Sequence, residues 1–299
     1  MNRRDLFLVL SISAFLLLNG CKRSNIPELK VQDTQPTQIV CDLSKGDMNK
    51  PLDINKEIDS VKYIRLETTQ ASLIGELDKV IVSDKYIICI DSDKENTVFL
   101  FDNTGRYLGK INQFGKEPNE YLEITACNLD IKNDRLYIYD RAKGRIHIYD
   151  MTGKPLGINK IPFVFDYFAW NHDGNLFYNN EATWREDKDG IASSRLFIGD
   201  VKGEISQRAF RITPEEVYRK SFGDNPFYYC QEELMYVKSY SDTIYSIKQH
   251  TIEAKYYFDF LGKGLSQYKQ DCDFYEHFRV NAEKLDYTYG CGIFVRISG

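Results

Sequence analysis

Residues 98–111 read VFLFDNTGRYLGKI and decide the fold, because their pattern returns twice further along the chain. The first return is IHIYDMTGKPLG at residues 146–157, and the second is LFIGDVKGEI at residues 196–205. In each copy an apolar alternation ends at an aspartate, a turn with glycine follows, and a second short run begins. The three aspartates are 48 and then 50 residues apart (150 − 102 and 200 − 150). This pattern predicts two antiparallel strands joined by a tight turn.

A second hairpin precedes each copy, and a degraded fourth copy without the glycine occupies residues 243–252. In the third of these preceding hairpins, Asp173-Gly174 supplies the positive φ that a tight turn requires. Two hairpins per unit give four antiparallel strands, and a four-stranded repeat of 40–50 residues is typical of a β-propeller blade. The connections are too short for the helices of a parallel β/α array. The preceding hairpins are residues 80–90, 129–139, 168–178 and 228–237.

Two further segments resemble a known family. One is IRLETT at residues 64–69, followed by Leu73-Ile-Gly75, and the other is INQFGKEPNEY at residues 111–121. They are similar to the first strand and the inter-blade loop of six-bladed β-propeller lipoproteins from Gram-negative anaerobic gut bacteria, which are relatives of NHL-type propellers. That loop usually reads G-x-G-P-G-E-Y, and Glu117 and Asn119 stand here in place of two of its glycines. The resemblance, over roughly residues 40–299, implies the fold and no particular activity.

We therefore predict an all-β fold, a propeller of four-stranded antiparallel blades of the six-bladed type. Residues 79–260 hold four units of about 45 residues (182/4), and 39 residues remain after them. The remainder contains a predicted helical insert, residues 272–285, and one predicted strand of a fifth blade, residues 287–297. Because a closed six-bladed ring needs about a blade and a half more, we expect a chain truncated relative to its family. A complete ring of five blades is the alternative.

The first twenty residues have the parts of an export signal. Arg3 and Arg4 give a positive start, and residues 6–18 form an uncharged run of 13, too short to span a bilayer that needs about 20. The run leads into a sequence that resembles the lipobox of bacterial lipoproteins, with Cys21 as the lipid-bearing residue. The alternative is an ordinary cleaved signal with Cys21 there by chance. The lipobox residues before the cysteine are Leu18, Asn19 and Gly20.

The predicted organisation has three parts: a signal peptide (residues 1–20), a polar tether (21–60) and the propeller domain (61–299). No later stretch approaches the length of a spanning helix, so the lipid is the predicted membrane anchor. Residues 22–25 lack the acidic cluster that resembles a surface-export signal in such bacteria. We therefore expect a cell-envelope protein on the periplasm-facing side of the outer membrane.

Composition argues for a folded strand-rich body and against nucleic acid as a partner. The chain is 42% apolar with 21 tyrosines, 18 phenylalanines and 8 prolines, a balance that favours strands. Its net charge of −5 (39 − 44) gives no basic excess for phosphate groups.

Residues that could carry chemistry form no local motif. The histidines show neither HExxH nor a close His/Cys pair, and the chain has no GxSxG elbow and no Walker loop. We read Gly262 to Ser266 and Gly290 to Gly292 as turns. The sequence therefore predicts no catalytic residue, no metal site and no cofactor. The four histidines, which we expect to be packed or solvated, are His147, His172, His250 and His277.

Carboxylates and aromatics each leave two interpretations open. Several aspartates end strand-like runs, and a propeller gathers equivalent strand ends on one face, where they could hold Ca²⁺. We favour the simpler interpretation, in which they accept hydrogen bonds from turn amides. Three aromatics around the third unit could stack on a sugar or peptide, or pack between blades, which we favour. The aspartates are Asp91, Asp93, Asp140 and Asp150, and the aromatics are Trp170, Tyr178 and Trp184.

The cysteines after Cys21 show no CxxC motif and no tight disulfide framework. Cys89 and Cys127 lie in apolar runs, where we expect small buried side chains. Cys272 and Cys291 are the pair to test as a disulfide. The remaining two, Cys41 and Cys230, carry no prediction.

These observations predict a lipid-anchored binding or scaffold module for a protein, peptide or glycan. One alternative is a propeller hydrolase or lyase acting on glycan or peptide, with residues from separate blades. Another is a non-functional gene fragment. An enzyme should bring carboxylates, histidines or arginines from at least three blades into one pocket, whereas a binding module should present an aromatic or apolar patch.

Overall fold

The computed structural model describes residues 26–32, 34–45, 58, 60–179, 194–212, 225–230, 233–238 and 241–264. This part of the chain is almost entirely β-structure. Sixteen of its strands form four four-stranded antiparallel arrays, numbered here as blades 1 to 4 in chain order. In each blade every strand pairs with its neighbour in sequence, as the repeat predicts.

The strand bounds follow the predicted hairpins closely. Two short strands come first, β1 (Val31–Gln32) and β2 (Thr37–Val40), followed by a 3-10 helix (Leu43–Lys45). Blade 1 has β3 (Lys79–Val82), β4 (Tyr86–Asp91), β5 (Thr97–Asp102) and β6 (Tyr107–Ile111). Blade 2 has β7 (Ala126–Asp130), β8 (Arg135–Asp140), β9 (Arg145–Asp150) and β10 (Pro155–Lys160). Blade 3 has β11 (Tyr167–Trp170), β12 (Leu176–Asn179), β13 (Ser194–Gly199) and β14 (Ile205–Arg211). Blade 4 has β15 (Phe227–Cys230), β16 (Glu233–Val237), β17 (Thr243–Lys248) and β18 (Thr251–Asp259).

The first strands of the blades lie side by side, since β11 neighbours both β7 and β15. The fourth strands, β6, β10, β14 and β18, therefore form the outer rim. All eight predicted hairpins are present, and the prediction of an all-β propeller is confirmed, with four blades in the part of the chain described. The number of blades in a complete ring stays a prediction.

The core consists of layers between successive blades, because alternate side chains of a strand point to opposite faces. In β4, Ile88 and Ile90 pack against blade 2, whereas Ile87 and Cys89 face the other way. That second face is covered by Ile64, Leu66 and neighbouring residues of the segment before blade 1. Equivalent buried layers join blade 2 to blade 3 and blade 3 to blade 4. Each blade is therefore stabilised by apolar contacts with its neighbours.

The turns after the third strands of blades 1 to 3 repeat the same hydrogen bonds. In blade 1, Asp102 Oδ1 accepts from the backbone N–H of Thr104 at 2.9 Å and of Arg106 at 3.0 Å. Asp150 and Asp200 accept from the residues two and four positions further on in the same way. Hydrogen bonds, first of all from the Thr104 hydroxyl, lower the pKa of Asp102 to about 2. The glycines of the three turns, with φ of 89°, 86° and 80°, are Gly105, Gly153 and Gly203.

Part of the segment predicted as a tether pairs with the propeller. Strands β1 and β2 pair in parallel with β18, and Leu29 N–H donates to Arg208 O of β14 at 2.7 Å. We call the described residues 27–32 and 34–41 the strap. Its short strands carry little periodicity of their own, because they are fixed by pairing with strands more than 170 residues away.

Several predictions concern residues outside the described part. These are the export signal with Cys21, the helical insert at 272–285, the strand at 287–297 and the Cys272–Cys291 pair. Within the described ranges, no helix has the length and apolar character needed to cross a membrane.

Candidate functional site

A cleft of about 610 Å³ lies beside blade 2. One side is the connection from blade 1 to blade 2, residues 112–121, and the other is formed by β9 and β10. Its lining combines amides, carboxylates, one imidazole and aliphatic side chains. The lining residues are Gln113, Glu117, Asn119, Glu120, His147, Tyr149, Pro155, Leu156, Gly157 and Ile158.

The connection is built by the residues that match the family loop. Tyr121 is fully buried, and its hydroxyl donates to Asn96 O at 2.6 Å. The Glu120 carboxylate accepts from the backbone N–H of Glu117 at 2.9 Å and lies directly over Gly115, where any Cβ would overlap it. Glu117 and Asn119, which replace two glycines of the family loop, do not have a positive φ. Both residues line the cleft, together with Glu120, which matches the family pattern.

Lys143, in the turn between β8 and β9, fixes this connection from below. Its ammonium group donates to the carbonyl oxygens of Gly115 at 3.0 Å, Glu117 at 3.0 Å and Glu120 at 2.6 Å. Arg145 adds a bond from Nη1 to Pro118 O at 2.7 Å. Charge-assisted hydrogen bonds of this kind are stronger than neutral ones. The cleft therefore has one rigid wall.

The floor of the cleft is His147 with Tyr149, both on the face of β9 that points toward blade 1. The Tyr149 hydroxyl lies 3.2 Å from Gln113 Oε1 and donates to it. His147 is 1% exposed, packs its ring edge-on against Tyr121, and has no hydrogen-bond partner for Nε2 in the described residues. Burial lowers the pKa of His147, so the ring is neutral and offers one donor and one acceptor nitrogen.

The second wall is β10, whose residues are mostly exposed. Leu156 is 49% exposed and Ile158 is also exposed, although both are aliphatic. Phe114, in the opposite connection, is exposed as well. Among the described residues, β10 is hydrogen-bonded as a strand to β9 alone, and its outer edge is open. An apolar wall next to polar groups is the usual makeup of a binding cleft.

Three of the four aspartates singled out in the sequence serve as turn acceptors. Asp91, fully buried, accepts from the backbone N–H groups of Glu76, Lys94 and Glu95 at 2.8–3.0 Å. Asp140 does the same for Leu122 and Lys143. For these two and for Asp150 the turn-amide interpretation is confirmed. Asp93 is exposed and contributes its own N–H to Asp78. Among the described residues, no cluster of three or more His, Cys, Asp or Glu side chains could hold a metal ion.

The aromatics of the third unit are core residues, as expected. Trp170 packs against Tyr137, with ring centroids 4.7 Å apart, and Tyr178 packs against Phe165 at 4.8 Å. Tyr178 also donates its hydroxyl to Asp200 O. Trp184 lies outside the described residues.

The other histidines and cysteines that the structure describes do not line the cleft. His172 and His250 are exposed, and His277 is outside the described part. Cys89 and Cys127 are buried free thiols, as predicted, and burial raises the pKa of Cys127 to about 12. Cys41 and Cys230 are half-buried free thiols.

Sequence reasoning missed most of the cleft. It noted Glu117 and Asn119 only as departures from a loop pattern, and it treated His147 as one of four ordinary histidines. The exposed Leu156 lies in a predicted strand that carries no functional prediction, and Ile158 lies just beyond the predicted repeat. The sequence does contain one indication of an exposed strand. Pro155 precedes Leu156, and proline within a sheet is typical of an edge strand.

Solved structures extend the fold comparison. A Bacteroides fragilis protein described as exported matches with a TM-score of 0.55 and 19% identity, over 68% of this chain and 56% of its own length. This chain therefore spans little more than half of that relative, and the likeness shows a shared fold alone. A duf4221 family member from Bacteroides vulgatus has a TM-score of 0.42 and 15% identity, over 64% of this chain and 61% of its own.

Virginiamycin B lyase from Staphylococcus aureus has a TM-score of 0.33 and 13% identity, over 58% of this chain and 67% of its own. Because the last two scores are below 0.5, neither carries an argument about this chain. No curated protein matches the chain in sequence. A family profile, in contrast, matches residues 38–294, which are 257 of the 299 residues. The chain belongs to the family described as "Domain of unknown function (DUF4934)".

Proposed function

We propose that this chain is a lipid-anchored cell-envelope protein whose propeller binds a protein or peptide partner in the cleft beside blade 2. The observation that carries the proposal is the pair of exposed aliphatic side chains, Leu156 and Ile158, on the open outer strand of that blade. A monomeric domain gains stability by burying such side chains, so their exposure beside a polar cleft favours a role in binding.

The origin of the lining residues favours binding over catalysis. They come from blade 2 and from the connection that leads into it, whereas a propeller active site built from separate blades would draw on three or more. The wall is aliphatic, and the amide groups of Gln113 and Asn119 face it. Aliphatic contacts with flanking amides suit an extended peptide segment.

Two observations support the location. The sequence up to Cys21 resembles a lipoprotein signal, and the Bacteroides fragilis protein of similar fold is described as exported. A diacylated and further acylated cysteine gives stable anchoring, because each buried methylene contributes about 0.8 kcal/mol.

The location is tested by growing cells with an alkyne analogue of palmitate and detecting the label on the protein. We expect labelling of the wild-type chain and its loss in Cys21→Ser, with both forms present at similar levels. Equal labelling of the two forms would contradict Cys21 as the anchor.

The binding role is tested by placing a photo-crosslinking amino acid at Ile158 in living cells. The matched control places it at Val82, an aliphatic residue of β3 that is 68% exposed and lies outside the cleft lining. We expect one discrete crosslinked species from position 158 and none from position 82. Identical patterns from the two positions would overturn the proposal.

A further inference from the structure

We propose that the outer rim of blades 3 and 4 faces the lipid bilayer and is held close to it by the strap. The inference rests on the proposed anchor at Cys21 and adds an orientation to it. In this orientation residues 21–26, and not the whole predicted tether of residues 21–60, set the distance between the propeller and the membrane.

The strap is bonded to the rim through its backbone. At its beginning, Pro27 O accepts from Arg208 N–H at 3.1 Å, and Leu29 N–H donates to Arg208 O at 2.7 Å. Further on, β1 and β2 pair with β18 over residues 252–259, and Cys41 N–H donates to Asp259 O at 2.8 Å. The strap thus crosses from the fourth strand of blade 3 to the fourth strand of blade 4.

Side chains of the strap also pack into the propeller. Leu29 and Val31 contact the buried layer between blades 3 and 4, while Lys30 between them is exposed, as expected for an extended segment with one face inward. The Thr34 hydroxyl donates to Ala254 O at 3.1 Å, and Gln38 Nε2 donates to Asp259 Oδ2 at 3.0 Å. These contacts make the strap part of the folded body from Pro27 onward.

The length of chain between the anchor and the strap sets the distance to the membrane. Six residue steps separate Cys21 from Pro27, and an extended chain covers at most about 3.3–3.6 Å per residue, or about 20 Å in all. A compact body of about 200 residues is about 40 Å across. The rim at Arg208 must therefore stay within about 20 Å of the anchored lipid, whatever conformation the six residues adopt. The opposite side of the body, about 40 Å away, cannot come as close to the anchored lipid.

The exposed side chains near this point suit a surface of phosphate-bearing headgroups. Lys30 of the strap and Arg211 at the end of β14 are both exposed. Within residues 27–30, Glu28 is the one exposed acidic residue. Lysine and arginine both bind phosphate oxygens, and arginine does so with two parallel hydrogen bonds.

The orientation is tested with the full lipidated protein in liposomes that contain headgroup nitroxide lipids. A fluorescent amino acid is placed either at Arg211 on β14 or at Lys110, an exposed residue of β6 on the rim of blade 1. We expect quenching at position 211 to be at least about twofold stronger than at position 110, because the short tether holds blade 3 nearer the lipid. Equal quenching would overturn the orientation.

Two control variants separate this inference from the proposed function. Flotation of the liposomes reports anchoring alone, and a Cys21→Ser protein that still floats would overturn the anchor and the orientation with it. Inserting 30 Gly/Ser residues between Ser24 and Asn25 allows an end-to-end distance of about 30 Å. We expect this variant to float while quenching at position 211 falls to the value at position 110. Unchanged quenching at position 211 would show that the six-residue tether does not set the orientation.

Discussion

The outer strands of blades 1 and 2 share a sequence pattern and have opposite surroundings. Strand β6 and its turn read GRYLG at residues 105–109, and β10 with its turn reads GKPLG at residues 153–157. Leu108 of β6 packs against the layer between blades 1 and 2, whereas its counterpart Leu156 in β10 is 49% exposed. The repeat determines that both segments form strands, and the neighbours of each strand determine whether its side chains are buried.

The glycines that end the two patterns show the same contrast. A Cβ at Gly109 would overlap the carbonyl oxygen of Thr152 in the turn of blade 2, whereas a Cβ at Gly157 would meet nothing within 4 Å. The turn of the next blade thus covers β6 at Gly109, whereas β10 is uncovered at Gly157, although both strands have an unpaired outer hydrogen-bonding edge among the described residues. The candidate cleft lies at the open strand. Substitutions at equivalent positions of β6 and β10 should therefore have different effects.

The largest effect is expected from alanine at the two glycines. Gly109→Ala forces a Cβ against backbone, which cannot move like a flexible side chain, and should cost about 3 kcal/mol. Gly157→Ala meets no atom and restricts the unfolded chain, so it should be neutral or stabilising by about 0.5 kcal/mol. Urea denaturation of both variants checks this, and an equal loss of stability in the two would contradict the contrast.

Removal of the Lys143 ammonium should have the next largest effect. Lys143→Met leaves three carbonyl oxygens of the connection without their charged donor, at an expected cost of about 2 kcal/mol in the free energy of unfolding. Lys116→Met, at an exposed lysine of the same connection, should change stability by less than about 0.5 kcal/mol. If both variants lose the same stability, Lys143 does not fix the wall of the cleft.

Truncation of the paired leucines should separate stability from binding. Leu108→Ala removes partly buried apolar surface and should cost about 1 kcal/mol, whereas Leu156→Ala should stay within about 0.5 kcal/mol of wild type. The same Leu156→Ala change should weaken the crosslink obtained from position 158. A Leu156 variant that is destabilised as much as the Leu108 variant would show that Leu156 is a core residue.

The smallest effect is expected from the pH dependence of His147. Burial lowers its pKa in the folded state below the ordinary value of 6.5, so the unfolded chain binds the proton first as pH falls. The buried neutral ring of His147 therefore makes its full contribution to the free energy of unfolding above pH 6.5. That contribution is lost as pH falls toward the folded-state pKa. His147→Gln should therefore show a shallower loss of stability between pH 7 and pH 5 than wild type does.

A variant at an exposed histidine is the control for that profile. His172→Gln makes the same substitution at a histidine on the surface and is measured beside His147→Gln. If the free energy of unfolding of all three proteins has the same slope against pH, protonation of His147 does not influence folding.

The sequence predicts the blades well because the relevant interactions are local. Asp102 bonds to amides two and four residues away, and Gly105 provides the positive φ within the same turn. Alternation then specifies which side chains face each neighbour, as in Ile87 and Ile88. These signals lie within about ten residues, so they can be read without the tertiary structure.

The strap and the cleft could not be predicted because they depend on distant parts of the chain. Leu29 and Val31 are fixed by blades 3 and 4, and no short-range pattern marks them as strand residues. Leu108 and Leu156 occupy equivalent positions of the repeat, and Pro155 is a local sign of an edge strand, but which of the two leucines is buried depends on the neighbouring blades. The unpartnered Nε2 of His147 likewise depends on what lies opposite β9.

Hydrogen exchange of β6 and β10, measured in the purified protein and in native membrane vesicles, shows whether a partner covers β10. Both strands have an unpaired outer edge among the described residues, so we expect unprotected outer amides in both when the protein is purified. In vesicles we expect exchange in β10 to slow while exchange in β6 stays unchanged, because a partner covers the edge of β10. Exchange in β10 that is unchanged in vesicles, or that slows equally in β6, would contradict partner binding at this strand.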